Sequence, residues 1–380
     1  MKSLFFFLGL LPFIAVVAQR KVVAPKVELV PLRAENWEFR QGSVEFTDSA
    51  GTPAMKIVGD GLVVLKNTDF SDGTIEFDDV LGEKGFAAFY FRWQDTLENE
   101  NFYFRVPVGA GHPYAIQGVQ YAPTIKGVNC WDLMYHYQTG ARYDVGTPTH
   151  VRLVINGRQM RVYVNSQQMP TLEVPRLEGN TTHGTIAFSG NRVISHLVLR
   201  PGETGDVQGA EGLDPTATDT RYLRRWEVTR VDTMPAGVDF SLSMMPGRGT
   251  AWVPIAAERR GLVNLTRLYG GNPSNRHQPR RICWLRTTIH ADSARLANVR
   301  LGFVDDVWMF LNGAWLYADK NHFGEPIAKK PAGRLSLDNA QVMMPLRKGD
   351  NELLVGVECD FWGWGFEARL DDLDGIELER

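Results

Sequence analysis

Cysteine is scarce in this chain: the 380 residues contain only Cys130, Cys283 and Cys359. An odd number without metal-ligand spacing provides neither a disulfide framework nor a zinc site. In RICWLRTTI and ELLVGVEC, strand alternation places Cys283 and Cys359 on apolar faces, which predicts two core residues. The sequence does not decide whether Cys283 and Cys359 form a disulfide, but no cysteine framework holds the fold.

The chain also lacks an excess of charge and a long apolar run after residue 18. A formal net charge of −3 gives no reason to expect nucleic acid or an anionic membrane as a partner. No later apolar run approaches the roughly 18–20 residues that a membrane helix needs. Residues 1–18 differ, because Lys2 precedes an apolar stretch that ends in a Val-Val-Ala cleavage site. This predicts a signal peptide cleaved near Ala18, and a secreted, periplasmic or cell-surface protein.

Helical periodicity is absent as well. Proline or glycine interrupts nearly every run longer than ten residues, whereas short alternating segments separated by turn residues recur from Trp37 onward. This cadence is typical of antiparallel sandwiches, and Asn156-Gly157 and Asn312-Gly313 each predict a two-residue hairpin turn. A chain of 380 residues suits two domains. The sequence therefore predicts an all-β fold of two antiparallel β-sandwich, or jelly-roll, domains.

The linker between the two domains is predicted from composition. The stretch PGETGDVQGAEGLDPTATDT, residues 201–220, has four glycines, two prolines and four threonines but no aromatic residue. The predicted division is a signal peptide at 1–18, an N-terminal arm at 19–35, a first sandwich at 36–200, the linker at 201–220 and a second sandwich at 221–380.

The clearest strand alternation lies between Gly85 and Gln138. GFAAFYFRWQD and NFYFRVP form a predicted hairpin with Phe and Trp on one face and Tyr, Arg and Gln on the other. Such a polar face offers bidentate donors and aromatic rings, which suit a polyhydroxylated ligand; a solvated face with ion pairs is the alternative. The predicted ligand is an oligo- or polysaccharide. Its predicted binding residues are Tyr90, Arg92, Gln94, Tyr103, Arg105, Gln120, Tyr121 and His136.

Two carboxylates are candidates for a catalytic role. In DGTIEFDDV, Glu76 and Asp78 share a strand face with their Cα atoms about 7 Å apart. If this strand neighbours the Gly85–Asp95 strand, both carboxylates join the predicted groove and could act as an acid/base pair in glycoside cleavage.

Two resemblances accompany these patterns. FYFRVP, AIQGVQYAP, WDLMYHYQ and HVRLVINGRQMRVYVN resemble the concanavalin A-like lectin/glucanase superfamily over about residues 36–200, in particular secreted bacterial domains related to 3-keto-disaccharide hydrolases. Residues 221–380, with LVNLTRLYGG, FLNG and FWGWGFEARLDDLDG, resemble galactose-binding-domain-like jelly rolls. Laminarinase-like members of the superfamily carry E-x-D-x-x-E, but here Leu81 stands at the third acidic position. That departure argues against a standard retaining glucanase.

The remaining candidates are aromatic residues and metal ligands. Trp308 and Trp315 flank the FLNG turn, and Trp362 and Trp364 alternate with glycines. These four tryptophans are either ligand-binding residues of the second domain or residues of its core. No histidine has a second histidine at ligand spacing, which predicts that the histidines form no metal site. The sequence does not decide whether loop aspartates and backbone carbonyls bind calcium. No other cofactor is expected. The oligomeric state is not indicated.

The leading interpretation is an exported carbohydrate-binding protein with its ligand on the first domain and an auxiliary second domain. Binding should then depend on Arg92 and Arg105 and survive loss of residues 221–380. The alternatives are a glycoside-cleaving hydrolase or lyase that uses Glu76 or Asp78, and a non-catalytic surface-assembly module.

Overall fold

A computed structural model describes residues 27–49, 51–106, 112, 114–166, 168–234, 238–273 and 279–379. The predicted signal peptide and part of the predicted arm lie outside the described residues. Within them, strands dominate, with one short α-helix, α1 (Leu265–Tyr269), and four 3-10 helices at Ala34–Asn36, Tyr135–Tyr137, Leu242–Met244 and Arg259–Gly261. No helix among the described residues is long and apolar enough to cross a membrane.

The strands of the first half are β1 (Glu28–Leu29), β2 (Trp37–Ser49), β3 (Thr52–Leu65), β4 (Gly73–Leu81), β5 (Phe86–Trp93), β6 (Glu100–Arg105), β7 (Val119–Tyr121), β8 (Thr124–Ile125), β9 (Val128–Asn129), β10 (Gln138–Thr139), β11 (Pro148–Asn156), β12 (Gln159–Val164), β13 (Leu172–Val174), β14 (Thr185–Ser189) and β15 (Arg192–Pro201).

The strands of the second half are β16 (Arg225–Val228), β17 (Asp232–Thr233), β18 (Val253–Ala256), β19 (Val263–Asn264), β20 (Arg281–Ala291), β21 (Arg295–Phe303), β22 (Asp305–Leu311), β23 (Ala314–Asn321), β24 (Ala340–Leu346), β25 (Gly349–Cys359), β26 (Gly365–Leu370) and β27 (Ile376–Leu378).

The first sandwich has two layers joined by a long strand. The front layer is β10-β7-β6-β5-β14-β3 and the back layer is β3-β15-β4-β11-β12-β13. β3 belongs to both, since its C-terminal half pairs with β14 and its N-terminal half with β15. Between the layers, Phe77 of β4 packs on Phe89 of β5 and Phe188 of β14, with ring centroids 5.1 Å apart in each pair. The core of this sandwich therefore has the aromatic character that strand alternation predicts.

The second sandwich packs the layer β18-β16-β20-β25-β22-β23 against the layer β19-β26-β21-β24. Cys283 and Cys359 lie buried in its core and are not bonded to each other. Asn312 and Gly313 both have positive φ, 53° and 78°, as the predicted hairpin turn between β22 and β23 requires. The predicted all-β fold of two antiparallel sandwiches is confirmed.

The segment predicted as a linker lies against the first sandwich. Asn156 Nδ2 donates to the Val207 carbonyl at 2.7 Å, and the Gly212 N–H donates to the Pro175 carbonyl at 2.7 Å. The domain boundaries themselves stay a prediction.

The two sandwiches are in direct contact. The Gly363 N–H donates to Asp132 Oδ2 at 3.0 Å, and the Leu335 N–H donates to the Asp132 carbonyl at 3.1 Å. Leu262, Val304 and Leu335 of the second sandwich belong to the same apolar cluster as the core of the first. Burial of shared apolar surface thus fixes the second sandwich beside the front layer.

Candidate ligand-binding cleft

A cleft of about 470 Å³ lies between the outer face of the front layer and the second sandwich. We call it the interdomain cleft. Its described lining residues are Leu62, Phe86, Ala88, Tyr90, Trp93, Thr96, Asn99, Asn101, Tyr103, Arg105, Thr124, Gly127, Asn129, Trp131, Ser189, Phe323, Phe361 and Trp362. Phe323, Phe361 and Trp362 come from the second sandwich, so both halves of the chain build the cleft.

Strand alternation in β5 and β6 produces the floor of the cleft. Antiparallel register places Ala88 opposite Tyr103 and Tyr90 opposite Asn101, so these side chains lie next to one another on the outer face. The intervening residues, among them Phe89, point into the core of the sandwich. The structure therefore brings three of the predicted ligand residues, Tyr90, Tyr103 and Arg105, into one cleft.

The alternation breaks at the end of β5, and this corrects the prediction for Arg92. Arg92 has φ +47°, a left-handed conformation that sends its own side chain inward and turns Trp93 onto the cleft. Arg92 is 1% exposed, and its guanidinium donates to the Ser71 carbonyl, to Asp72 Oδ1 and to the Gly157 carbonyl at 2.8–3.0 Å. Burial lowers its pKa, which Glu100 and Asp72 oppose. Arg92 is therefore a structural anchor and does not line the cleft. Trp93 occupies the position in the cleft that was predicted for Arg92.

A buried polar network supports the floor. Arg105 Nη2 donates to the Tyr103 hydroxyl at 2.9 Å and to Gln120 Oε1, and the Tyr103 hydroxyl donates to the same oxygen at 2.8 Å. Gln120 Nε2 in turn donates to the Trp131 carbonyl at 2.7 Å. Burial raises the pKa of Tyr103 to about 12, so its hydroxyl stays neutral. Gln120 thus orients Arg105 and Tyr103 from behind the cleft.

Several polar atoms of the lining lack partners. Asn99 Oδ1, Asn101 Oδ1, Asn129 Oδ1 and Arg105 Nε are buried and make no hydrogen bond to the residues that the structure describes. Buried amide oxygens without partners are rare in folded proteins and call for a ligand or water. Aromatic rings lie beside them, and Tyr90 and Trp93 meet edge to face at 5.0 Å. Rings and amides together suit a ligand with apolar faces and hydroxyl edges.

The described lining contains no aspartate, glutamate or histidine. General acid/base chemistry at a glycosidic bond needs two carboxyl groups at the scissile bond. The part of the cleft that the structure describes is therefore equipped to bind and supplies no carboxyl group for cleavage.

Glu76 and Asp78 lie on the other layer. Their strand, β4, pairs with β11 and β15, so the adjacency to β5 on which their predicted catalytic role depended is wrong. Glu76 is paired with Arg200, while Asp78 lies 2.8 Å from His150 Nδ1 and 2.9 Å from His196 Nδ1. The two carboxylates have polar partners on the back layer, away from the cleft.

The structure also places Gln94, Tyr121 and His136 outside the cleft. Gln94 Nε2 donates to the His183 carbonyl at 2.6 Å, and Tyr121 alternates with Gln120 and so faces the interior, where its hydroxyl donates to Glu100 Oε2 at 2.7 Å. His136 lies in a 3-10 helix, to which strand alternation does not apply. It lines a separate cavity of about 160 Å³ between the sandwiches, where burial lowers its pKa to about 3.

The structure places the four second-domain tryptophans in different environments. Trp364 is in the core of the second sandwich, and Trp308 is buried under Phe240, with ring centroids 5.2 Å apart. Trp315 is 54% exposed but lies outside the interdomain cleft. Trp362 alone of the four lines the cleft. Trp362 and Trp364 do not share a strand face as their alternation with glycines suggests, because β26 begins at Gly365 and Trp362 has a left-handed φ of 62°.

One group of side chains in the second sandwich could hold a metal ion. Ligand atoms of Asp306, His322 and Glu358 lie within 4.8 Å of one another. Arg280 already pairs with both carboxylates, and Lys320 Nζ lies 3.2 Å from Asp306. These cations neutralise the group, and its histidine nitrogen is not a ligand that calcium prefers.

Sequence reasoning missed most of the cleft's wall. Asn99, Asn129 and Trp131 lie in short loop-like segments without alternation, although the polar NEN and NCWD runs that carry them are visible in the sequence. Phe323 and Phe361 are far away along the chain, and only domain packing brings them to the first sandwich.

Comparison with solved structures finds matches of low similarity. The carbohydrate-binding module CBM66 from Bacillus subtilis is 14% identical, and the match covers 43% of this chain and 91% of that one with a TM-score of 0.32. The β-glucanase of Bacillus licheniformis is 11% identical, covering 48% and 100% with a TM-score of 0.32. The exoplasmic/lumenal domain of VIP36, in its Ca2+/Man3GlcNAc-bound form, is 11% identical, covering 48% and 90% with a TM-score of 0.31.

No family model matches the chain, and no curated protein matches it. Similarity at the level of these solved structures supports no statement about ligand or activity. The resemblances to keto-disaccharide hydrolase-related and galactose-binding-like domains therefore stay predictions.

Proposed function

We propose that this chain is a carbohydrate-binding protein whose ligand lies in the interdomain cleft. One observation carries the proposal: buried amide oxygens without partners lie beside aromatic rings in one cleft. Aromatic faces pack on the C–H faces of a sugar ring, and amide groups bond its hydroxyl edges. The absence of carboxyl groups from the described lining favours binding over cleavage.

The second sandwich is part of this proposed site. Phe323, Phe361 and Trp362 form the wall opposite the β5–β6 floor. The proposal therefore replaces the expectation that binding resides in the first domain alone and survives loss of residues 221–380.

The proposal includes export, which rests on the leader pattern of residues 1–18. The exported protein should begin near Gln19. Finding Met1 at the N-terminus of the mature protein would contradict this part.

A glycan array probed with the purified chain tests binding, and Trp362→Ala tests the site. Loss of a central tryptophan from a binding site typically costs about 2 kcal/mol, or roughly 30-fold in affinity. Trp315→Ala is the matched control, because it removes an exposed tryptophan of the same sandwich outside the cleft. Calorimetry with a bound glycan should show weakening for Trp362→Ala only. An array without any bound glycan, or equal affinity of both variants, would contradict the proposal.

A further inference from the structure

Two buried arginines, Arg105 in the lining of the interdomain cleft and Arg334 against Trp131 of that lining, have no carboxylate partner among the described residues. Arg105 is 6% exposed and Arg334 is 1% exposed. Among the described residues, Arg105 bonds only the neutral Tyr103 hydroxyl and Gln120 amide, and Arg334 reaches Gln117 Oε1 at 3.4 Å. Neither guanidinium has a carboxylate oxygen within ion-pair distance in the part of the chain that the structure describes.

The two other arginines that are buried among the described residues are paired. Arg92 bonds Asp72, and the buried guanidinium of Arg192 bonds the buried carboxylate of Asp79. Burying an unpaired charge is costly, so buried arginines ordinarily have a partner such as these two have. Among the described residues, the buried arginines without a carboxylate partner are thus Arg105, which lines the cleft, and Arg334, which lies against Trp131 of its lining.

The two unpaired guanidinium groups converge on one ring of the cleft. The Cζ atoms of Arg105 and Arg334 lie 5.6 Å and 5.0 Å from the centroid of Trp131. Arg105 Nε and Arg334 Nε and Nη1 are buried N–H groups without an acceptor among the described residues. Burial and the charge of Arg105 lower the pKa of Arg334 to about 10, so it remains charged at neutral pH.

The buried carboxyl group of Asp132 does not take the place of a ligand for these arginines. Asp132 interacts with Arg334 electrostatically, but its oxygens accept the N–H groups of Leu133 and Gly363. Burial raises the pKa of Asp132 to about 7, which reduces its negative charge near neutral pH.

We propose that the saccharide bound in the interdomain cleft is anionic, carrying a carboxylate or a sulfate group, and that Arg105 bonds this group while Arg334 adds positive charge behind Trp131. Arginine presents planar paired donors to such oxyanions, and charge-assisted bonds are about twice as strong as neutral ones. This inference rests on the proposed carbohydrate binding and names the class of its ligand.

Matched pairs of glycans on one array distinguish the class. Galacturonate oligosaccharides are printed beside their methyl esters, and keratan sulfate oligosaccharides, whose backbone carries no carboxylate, beside their desulfated forms, among a general set of neutral and acidic glycans. We expect the bound glycans to be acidic, with binding at least tenfold weaker after the anionic group is neutralised. The pair that responds tells a carboxylate from a sulfate. Binding of neutral glycans as tight as that of acidic ones overturns this inference and leaves the proposed function standing, whereas no bound glycan overturns the proposed function itself.

Variants assign the contact to Arg105. Arg105→Gln should weaken binding of the best acidic glycan by about 10- to 100-fold, with Arg105→Lys falling in between because it keeps the charge. Arg142→Gln, which neutralises an exposed arginine of the same sandwich, is the control and should bind like wild type. The wild type provides an independent test, since raising NaCl from low to high concentration should weaken binding of the acidic glycan and not of its neutralised form. Salt-insensitive binding with an unaffected Arg105→Gln variant would overturn the assignment.

Discussion

Glu100 shows how burial changes the role of a single residue. It precedes Asn101, which lines the cleft, but its own side chain faces the core and is fully buried. Glu100 Oε2 accepts from the Tyr121 hydroxyl at 2.7 Å, while Oε1 has no partner among the described residues. Burial raises the pKa of Glu100 to about 7, and Tyr121, Arg92 and Arg158 oppose this shift. Because the Glu100 carboxyl group does not reach the cleft, we expect it to affect the stability of the fold and not ligand binding.

We predict that Glu100 makes the free energy of unfolding fall as pH rises from about 4.5 to about 7. In this window the folded protein still holds a proton that the unfolded chain has released, so raising the pH favours unfolding. Glu100→Gln should flatten this part of the profile, measured by urea unfolding at several pH values. Glu83→Gln, at an exposed position, is the control. Equal pH slopes for wild type and Glu100→Gln would contradict the prediction.

At the scale of single elements, regular strands could be predicted and irregular ones could not. Alternation identifies the core face of β5 and β6, and the Asn312-Gly313 pair identifies a hairpin turn, because both signals are local in the sequence. Asn156-Gly157 marks the hairpin between β11 and β12, but the turn residues there are Gly157 and Arg158, since Asn156 pairs with Gln159. The reversal at Arg92 depends on the Ser71 and Gly157 carbonyls, which are remote in the chain. Strand order is also nonlocal: β4 lies beside β11 and β15 through long connections, which no local pattern of Glu76 and Asp78 reveals.

The anchoring of β5 by Arg92 leads to a prediction for this element. Arg92→Ala removes three hydrogen bonds of a charged donor, so unfolding free energy should fall by about 1.5–3 kcal/mol. The end of β5 should also relax and move Trp93, which would weaken glycan binding. Arg40→Ala, which breaks an exposed pair with Glu38, should change stability by about 0–1 kcal/mol. Denaturant titration compares them, and a similar small effect of both variants would argue against the anchor.

At the scale of the whole molecule, the cleft depends on how the two sandwiches meet. The sequence predicts each sandwich from its own strands, but the contact surface between them has no periodic signature. Asp132 joins the sandwiches through backbone N–H groups, and Phe323 packs edge to face on Trp131 with centroids 4.7 Å apart. These contacts are between residues about 190 or more positions apart, which explains why the sequence does not predict the part of the cleft wall that the second sandwich forms.

The last prediction therefore concerns a chain that ends after Thr220. Without the second sandwich, the buried Trp131 and Tyr103 become exposed and the Asp132 carbonyl loses its partner. We expect a lower melting temperature for this fragment and at least a roughly 30-fold loss of glycan affinity, because the Phe323, Phe361 and Trp362 wall is gone. Circular dichroism establishes whether the fragment keeps its strands, and the Trp362→Ala variant of the full chain separates loss of the wall from loss of folding. A folded fragment that binds glycan with the affinity of the full chain would place the whole site on the first sandwich.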